Sequence, residues 1–325
     1  MKVLVTGANG LLGHHVVMQL QKVHHDIRII LRGTRDIYID MTNIESVGGN
    51  FTDYDSLKLA ADGCDAIIHI AAVTSTNLLH YEDYRKVNVD GVANVIKVAN
   101  EFNINRLVFV STANTIGYGS EKQLATEDDT IAFPFSKSFY ARSKVEAEKF
   151  FEEASRKPDR HVIIIHPTFM IGAYDTKPSS GKLLLMAYRK RIMFVPSGGK
   201  NFVATSDVAT AVCNALTDGK NGEHYLASGI NLSFKEFYLR QSRIGGYPQK
   251  LIVLPDFILE MAGKAGDIIR LLGIKTDVCS MNIHQLLVRE YYSNKKAVTE
   301  LKMPQKSLDI AISEALNWFR ISKKV

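Results

Sequence analysis

The chain begins with Met1-Lys-Val-Leu-Val-Thr-Gly-Ala-Asn-Gly-Leu-Leu-Gly13, a short apolar run followed by glycines at every third position. The run from Val3 to Val5 is typical of a parallel strand that is covered on both faces. Apolar residues at helical spacing come next. A strand, a glycine-rich turn and a helix in this order form an anion site, because the turn lets the backbone approach a phosphate and the helix N-terminus offers free N–H groups. The stretch therefore predicts a pyrophosphate-binding site.

The rest of the chain predicts the fold around this site. Apolar runs at residues 27–31, 44–51, 66–72, 106–110 and 161–165 predict strands, and helical spacing at 53–61, 84–100 and 140–156 predicts the helices between them. This alternation is typical of the α/β class, with a Rossmann-type doubly wound parallel sheet. Further on, we expect helices at 182–191, 206–216 and 309–320, a turn at 198–201, a strand at 224–227 and mostly helix from 233.

The length of 325 residues suits two lobes around separate cores. We expect residues 1–168 with 196–228 to form the dinucleotide-binding Rossmann domain. Residues 169–195 with 229–325 are expected to form a smaller, mostly helical substrate-binding lobe.

Composition narrows the class of protein. Charged residues make up 23% of the chain and hydrophobic residues 46%, as in ordinary globular proteins. The net charge of +6 fits an anionic ligand. The sequence has no basic stripe interleaved with aromatic residues, so we expect no nucleic-acid partner. The three cysteines are far apart, and no apolar run is long enough to span a membrane. We therefore expect a cytoplasmic protein with no membrane partner.

Histidines at positions 14, 15, 24 and 25 have no cysteine or carboxylate partners at ligand spacing. We interpret His14, His15, His24 and His25 as surface residues of the first helix and its end, and predict no metal site.

Two chemical elements are expected to meet at the carboxyl ends of the strands. Ser111 and Thr112 follow the strand at 106–110, where an open α/β sheet binds its ligand. Tyr140 and Lys144 lie four residues apart and share one face of the following helix. A free tyrosine has a pKa of about 10, and a neighbouring ammonium favours the phenolate. We therefore expect Lys144 to lower the pKa of Tyr140, so that the phenol can exchange a proton with a carbonyl or an alcohol.

Taken together, these motifs resemble the extended short-chain dehydrogenase/reductases, which form the NAD-dependent epimerase/dehydratase superfamily, and in particular the dihydroflavonol-4-reductase-like branch. The segment Tyr140-Ala-Arg-Ser-Lys144 resembles the catalytic helix of that family, and the N-terminal glycine spacing resembles its cofactor loop. The resemblance implies that Asn50 and Phe51 hold adenine, and that Pro167 borders the nicotinamide. The residues it implies for cofactor binding are Thr6, Gly7, Asn9, Gly10, Leu11, Leu12, Gly13, Asn50, Phe51, Ile70, Ala71, Ala72, Asn88, Pro167 and Thr168.

The chain also departs from the family pattern. The usual catalytic serine aligns with Thr112, while a shift of one residue would give this role to Ser111, so both are retained as catalytic candidates. His166 stands where the family has arginine, and Asn50 where it has aspartate.

The cofactor preference is predicted from the end of the second strand. Enzymes that prefer NAD place an acidic residue there, to accept hydrogen bonds from the ribose hydroxyls. This chain instead has Arg32 and Arg35, which suit a 2′-phosphate. We expect NADP(H) to be favoured over NAD(H).

The function predicted from these residues is that of an NADP(H)-dependent oxidoreductase acting on a small-molecule carbonyl or alcohol. A nucleotide-sugar epimerase or dehydratase with bound NAD is the first alternative, and a non-catalytic NADP-sensing protein is the second. The family often dimerises through helices equivalent to 84–100 and 140–156, but their apolar faces could instead cover the sheet, so a homodimer remains open. Substrate contacts are expected from Thr74, Phe133, Phe169, Met170 and Tyr174.

Overall fold

The computed structural model describes residues 1–33 and 37–324. Within these residues, the central sheet has seven parallel strands in the order β10-β6-β5-β4-β1-β2-β3. The strands are β1 (Lys2–Thr6), β2 (Asp26–Leu31), β3 (Ile44–Gly48), β4 (Ala66–His69), β5 (Arg106–Val110), β6 (His161–Pro167) and β10 (His224–Ala227). The order reverses between β1 and β4, which is where a doubly wound sheet opens its ligand crevice. The Rossmann-type α/β fold is confirmed.

Helices cover both faces of this sheet. They are α1 (Leu11–Lys22), α2 (Tyr54–Ala61), α3 (Tyr81–Asn88), α4 (Asp90–Glu101), α5 (Phe139–Ser155) and α7 (Thr205–Asn214). Helices α1 and α7 share one buried apolar cluster with the sheet, and α2, α4 and α5 share another. Strand β1 is therefore covered on both faces, and Val3, Leu4 and Val5 are fully buried, as the apolar run predicted.

A second, smaller layer follows. Strand β9 (Gly199–Ala204) pairs with β7 (Phe169–Ile171), β11 (Ile230–Ser233) and β13 (Arg289–Glu290), and β8 (Ile192–Val195) pairs with β12 (Lys250–Val253). The accompanying helices are α6 (Lys182–Ala187), α8 (Phe234–Gly245), α9 (Asp256–Leu271), α10 (Ser280–Leu287), α11 (Lys295–Glu300) and α12 (Leu308–Ile321). Residues 196–228 are shared between the layers, because β9 belongs to the small sheet whereas α7 and β10 belong to the large one. The predicted domain limits therefore stay a prediction.

Several sequence-based boundaries are wrong. The turn predicted at 198–201 is mostly strand β9; a side chain at Gly198 or Gly199 would collide with neighbouring backbone carbonyls, so these glycines serve close strand packing. The helix predicted at 84–100 is two helices that meet at Val89. The helix predicted at 182–191 ends at Ala187, and the C-terminal region contains β11, β12 and β13 besides helices.

The interpretation of His14 and His15 as surface residues is also wrong. His14 is fully buried and His15 is 9% exposed. His14 stacks on Tyr174 with ring centroids 5.4 Å apart, and His15 lies 3.2 Å from the carbonyl oxygen of Ala173. Helix α1 is thus covered by a distant loop, which its own spacing could not reveal. His24 and His25, at the end of the helix, are exposed and half-buried.

The apolar faces of α4 and α5 pack against the sheet. Val92 and Val95 of α4, together with Ala147 and Phe151 of α5, are buried in the cluster that covers β4, β5 and β6. The apolar faces of these helices thus cover the sheet, which is one of the two arrangements that the sequence left open. A homodimer stays a prediction. No helix in the described part of the chain is long and apolar enough to cross a membrane.

Candidate active site

The turn between β1 and α1 has the shape of a phosphate cradle. Gly7 has a φ of +75°, and a Cβ there would lie 2.8 Å from the backbone nitrogen of Ala71. A Cβ on Gly13 would collide with the carbonyl oxygen of Gly7. Gly10 is the N-cap of α1, with no side-chain cap and no acidic residue in the first turn. The first N–H groups of α1 therefore have neither intrahelical acceptors nor a competing carboxylate, which fits a pyrophosphate.

Residues around this cradle are brought together as predicted. The Thr6 hydroxyl lies 2.8 Å from His69 Nδ1 and accepts hydrogen bonds from the backbone nitrogens of Ile70 and Ala71 at 3.2 and 3.3 Å. It therefore ties the end of β1 to the end of β4. Ile70, Ala71 and Ala72 are half-buried beside the glycine turn, and the carbonyl oxygen of Asn9 faces the Thr176 hydroxyl at 3.4 Å.

The predicted adenine pair lies after β3. The side-chain oxygen of Asn50 accepts a hydrogen bond from the backbone nitrogen of Thr52 at 3.3 Å, which fixes the turn. The Phe51 ring packs edge-on against His69, with centroids 5.1 Å apart. Arg32 is exposed directly after β2, whereas Arg35 lies outside the described residues.

The geometry separates the two catalytic hydroxyls. The Thr112 hydroxyl lies close enough to Tyr140 to lower the pKa of the phenol. Ser111 instead donates its hydroxyl hydrogen to Glu148 Oε1 in the buried interior. The backbone nitrogen of Ser111 donates to the carbonyl oxygen of Ile165 at 2.7 Å, so strand pairing with β6 fixes which residue faces the phenol. This arrangement supports Thr112 as the hydroxyl that works with Tyr140.

Lys144 is 2% exposed and points away from solvent. Its Nζ donates to the carbonyl oxygen of Val110 at 2.7 Å and lies 4.1 Å from the centroid of the Phe109 ring. Burial lowers the pKa of Lys144 to about 7, while the Glu148 carboxylate opposes this change. The lysine is thus held at the end of β5, beside the predicted catalytic residues.

The expected effect of Lys144 on Tyr140 does not appear. Burial raises the pKa of Tyr140 to about 12, and the hydrogen bond from Thr112 opposes the rise. Lys144 is not among the groups that act on this pKa, because its ammonium faces Val110. The expectation that Lys144 lowers the tyrosine pKa is therefore wrong, because burial dominates and the phenol keeps its proton at neutral pH.

Asn88 joins three parts of the site. Its side-chain oxygen accepts from the Val73 nitrogen at 2.8 Å, and its amide donates to the Val73 carbonyl and to the Ser143 hydroxyl, both at 3.0 Å. Asn88 thus supports the segment after β4 and the catalytic helix α5, rather than pointing into solvent. Pro167 ends β6, and the Thr168 hydroxyl donates to Asn201 at 2.7 Å.

The predicted substrate residues have different surroundings. Thr74 and Phe133 are exposed near the strand ends, and the Phe133 ring packs on His284 with centroids 5.2 Å apart. Phe169 packs against Phe202 in the small lobe, and Met170 packs partly against the main core. Tyr174 contacts His14, His15 and Trp318, so its ring serves packing on α1.

Sequence reasoning missed a buried polar cluster behind Thr112. Glu148, His166 and His224 offer ligand-type atoms that all lie within 4.8 Å of one another. His166 and Glu148 were visible only as parts of motifs, and His224 carried no signal. It reaches the cluster because β10 pairs with β6, with His224 opposite Ile164.

The comparisons with known proteins concern the whole chain. A profile of the NAD dependent epimerase/dehydratase family matches residues 3–228. The chain is 28% identical over 325 residues to a Synechocystis protein named "Putative dihydroflavonol 4-reductase", covering 97% of this chain and 94% of the relative. It is 27% identical over 330 residues to sterol demethylase protein B of Methylococcus capsulatus, covering 98% of each. The solved structure of gox2253 superposes with a TM-score of 0.83 at 26% identity, covering 99% of each chain.

The chain therefore belongs to the NAD-dependent epimerase/dehydratase family, and the predicted resemblance is confirmed. It is an enzyme of this NAD(P)-binding family, whose named relatives include reductases, dehydratases and epimerases acting on small molecules.

Proposed function

We propose that this enzyme is an NADP(H)-dependent oxidoreductase that reduces the carbonyl group of a small, hydrophobic molecule, or oxidises the corresponding alcohol. The observation that carries the proposal is the placement of Thr112 beside Tyr140 at the carboxyl end of β5, while Ser111 is turned inward to Glu148. Two hydroxyl groups directed at one point can hold a carbonyl oxygen and supply its proton.

The cofactor, when bound, supplies the hydride. The glycine turn and the first N–H groups of α1 would hold its pyrophosphate, Asn50 and Phe51 would hold its adenine, and Pro167 and Thr168 would contact its nicotinamide. Because burial raises the pKa of Tyr140 to about 12, the phenol stays protonated and is suited to act as the acid in the reducing direction. Thr112 orients the substrate oxygen, and Lys144 places its amine at the end of β5, where it donates to the carbonyl oxygen of Val110.

A hydrophobic substrate fits the surface beside the strand ends. Arg270 of α9 donates to the carbonyl oxygens of Thr76 and Leu78, and thereby holds α9 over the segment that follows β4. Large apolar side chains on α9 and just after it remain exposed, namely Phe257, Met261, Ile268, Leu271 and Leu272. The name of the relative sterol demethylase protein B also points to a lipophilic substrate. We keep Thr74, Phe133, Phe169 and Met170 as proposed substrate contacts.

The first alternative, a nucleotide-sugar epimerase or dehydratase, has less support. Thr112 is followed by Ala113 and Asn114, not by the acidic residues that dehydratases carry there. The Arg270 guanidinium is bonded to backbone carbonyls and lies 3.1 Å from Cys279 Sγ, so it is not free to bind a diphosphate. The second alternative, a non-catalytic sensor, is disfavoured because the chain keeps Tyr140 and Lys144.

We propose that NADP(H) is favoured over NAD(H), since Arg32 stands at the end of β2 where an acidic residue would bind ribose hydroxyls. Arg32→Ala should reduce kcat/KM for NADPH and leave kcat/KM for NADH almost unchanged. The control is Lys22→Ala, which removes an exposed positive charge from the far end of α1. A wild-type preference for NADH, or an unchanged NADPH constant in Arg32→Ala, would contradict this proposal.

The reaction itself is tested by screening. NADPH oxidation is followed with aldehydes, ketones of graded hydrophobicity and nucleotide sugars. The proposal predicts turnover of lipophilic carbonyl compounds and release of NADP⁺ with each cycle. Tightly retained cofactor and turnover of nucleotide sugars without net oxidation would favour the epimerase.

We also propose that the enzyme acts in the cytoplasm, since Cys64, Cys213 and Cys279 are all free thiols.

A further inference from the structure

A line of polar side chains runs from the surface to the back of the catalytic loop. His166 is fully buried and Glu148 is 6% exposed, whereas the side chain of His224 is 26% exposed. His166 Nε2 lies 2.8 Å from His224 Nδ1, and the two ring planes are inclined by only 18°. The two imidazoles are therefore joined by a short hydrogen bond between their edges.

The position of each hydrogen follows from the neighbours. His166 Nδ1 lies 3.1 Å from the carbonyl oxygen of Thr112, which can only accept, so Nδ1 carries the hydrogen. In a neutral ring, Nε2 of His166 is then an acceptor, and His224 Nδ1 must donate to it. His224 Nε2 is left without a hydrogen and faces Glu152 Oε1 at 3.5 Å. It is therefore the atom at which this pair gains a proton from outside.

The inner end of the line reaches a carboxyl group. The Thr115 hydroxyl lies 3.0 Å from His166 Nδ1 and close enough to Glu148 to lower the pKa of that carboxyl. Its single hydrogen can be donated to Glu148 or to the Thr112 carbonyl oxygen, 2.8 Å away. Burial raises the pKa of Glu148, and hydrogen bonds from Ser111 and Thr115 oppose the rise. Burial thus favours the protonated carboxyl, and its two hydroxyl neighbours favour the carboxylate.

Charged groups of both signs surround the line. Helix α5 contributes Lys144, Glu148 and Glu152, α11 contributes Lys296, and Glu223 precedes His224 in the chain. The Glu148 charge acts directly on both Tyr140 and Lys144, and raises the pKa of each. A proton placed on Glu148 therefore makes it easier for Tyr140 to give up its own.

We propose that His224 and His166 conduct protons between solvent and Glu148, so that Glu148 gains a proton when Tyr140 transfers one to the substrate. This rests on the proposed function. When one proton crosses the line, the Thr115 hydroxyl gives its hydrogen to Glu148 and receives the Nδ1 hydrogen of His166. His166 Nε2 then receives the Nδ1 hydrogen of His224. His224 Nε2 binds one proton from solvent, so one proton enters and one appears on Glu148. The imidazoles return to their starting forms when the proton leaves again.

A metal ion is the competing interpretation of the same three side chains. It would need nitrogen lone pairs, but both nitrogens of His166 and Nδ1 of His224 already take part in hydrogen bonds to protein atoms. Glu148 likewise accepts from Ser111. Metal binding would have to break these bonds, so the proton path describes the arrangement better.

The path is tested first without any substrate. In ¹⁵N-labelled wild-type protein, the exchange of the His166 Nδ1 hydrogen with solvent is measured by NMR, and compared with His224→Phe, which keeps an aromatic ring but carries no proton. Exchange should slow by about tenfold or more, because burial leaves His224 as the entry point. The control is His161→Phe. His161 lies on β6, the strand of His166, but its ring contacts the Ala215 carbonyl oxygen outside the line. Equal exchange rates in wild type and His224→Phe would overturn the proposal, as would a stoichiometric metal ion that copurifies with wild type and is lost in His224→Phe.

The second test uses turnover and separates chemistry from shape. His224→Ala should lower kcat for carbonyl reduction by about tenfold with little change in KM, less than the hundredfold or more expected for a direct proton donor. Added imidazole should restore kcat, whereas pyrazole, of the same size but unprotonated near neutral pH, should not. Equal rescue by both compounds, or an unchanged kcat, would overturn the path. If wild type reduces no carbonyl compound, the proposed function fails, and the exchange rates alone decide on the path.

Discussion

Tyr140 and Thr112 are the smallest set of side chains that accounts for carbonyl reduction. The phenol is kept protonated by burial, and Thr112 lies beside it. Ser111, one residue earlier, is turned inward to Glu148. The sequence left these two hydroxyls open, because a shift of one residue exchanges their faces and no local pattern fixes the register. The pairing of β5 with β6 fixes it.

Single substitutions at the two hydroxyls should therefore differ. Thr112→Ala should lower kcat by about 10²-fold, the size of effect seen when one oriented hydrogen-bond donor is removed from a reacting oxygen. Thr112→Ser should keep most of the activity, and Ser111→Ala should affect kcat much less than Thr112→Ala. The measurement is steady-state NADPH oxidation. A larger loss in Ser111→Ala than in Thr112→Ala would reverse the assignment.

Lys144 makes stability depend on pH. Between about pH 7 and the ordinary lysine value of about 10.4, the unfolded chain binds the proton while the folded chain leaves Lys144 neutral. Burial of Lys144 therefore lowers the free energy of unfolding most at pH 7 and below. This destabilisation disappears as the pH rises from about 7 to about 10.4. Lys144→Met removes the cost, so the stability of the variant relative to wild type should decline from pH 7 to pH 10. Urea unfolding at several pH values measures this slope.

The control for this experiment is Lys149→Met, an exposed lysine on the same helix. Its stability difference from wild type should not change with pH in the same window. A flat difference for Lys144→Met would show that Lys144 keeps its proton in the folded enzyme.

At the scale of elements, Asn88 connects β4, α3 and α5. It bonds to both backbone groups of Val73 and to Ser143, one residue before Lys144. Asn88→Ala leaves these buried groups without partners and should cost about 1–3 kcal/mol of stability. It should also lower kcat, since α5 carries Tyr140. Urea unfolding and turnover are compared with Asn94→Ala, which loses one bond to the Thr52 carbonyl. An effect no larger than that of Asn94→Ala would contradict this role.

The elements also show where sequence patterns stop being informative. The strands of the central sheet were visible because both faces are buried, so their apolar runs are continuous. Strand β9 was hidden, because the glycines at 198 and 199 resemble a turn while they in fact allow other chain segments to approach. The burial of His14 was hidden for a related reason, since the covering residue Tyr174 is far away in the chain.

For the whole molecule, the fold and the cofactor cradle follow from local patterns, whereas the substrate surface depends on tertiary contacts. The cradle is set by glycines and one helix start, all within thirteen residues. The surface beside the strand ends depends on α9, which Arg270 attaches to the backbone after β4. Tyr174 was predicted at the substrate and instead packs on α1, because the loop that carries it folds back over that helix.

We propose that Tyr140 supplies the proton in an NADPH-dependent carbonyl reduction. Its most direct test is the turnover of Tyr140→Phe, measured by NADPH oxidation with the best carbonyl substrate of the wild-type enzyme, beside a fluorescence titration of NADPH binding. We predict that kcat falls by about 10²- to 10⁴-fold while the Kd for NADPH is unchanged, since the ring remains and only the proton donor is lost. A Tyr140→Phe enzyme that reduces the same substrate at the wild-type rate would contradict the account.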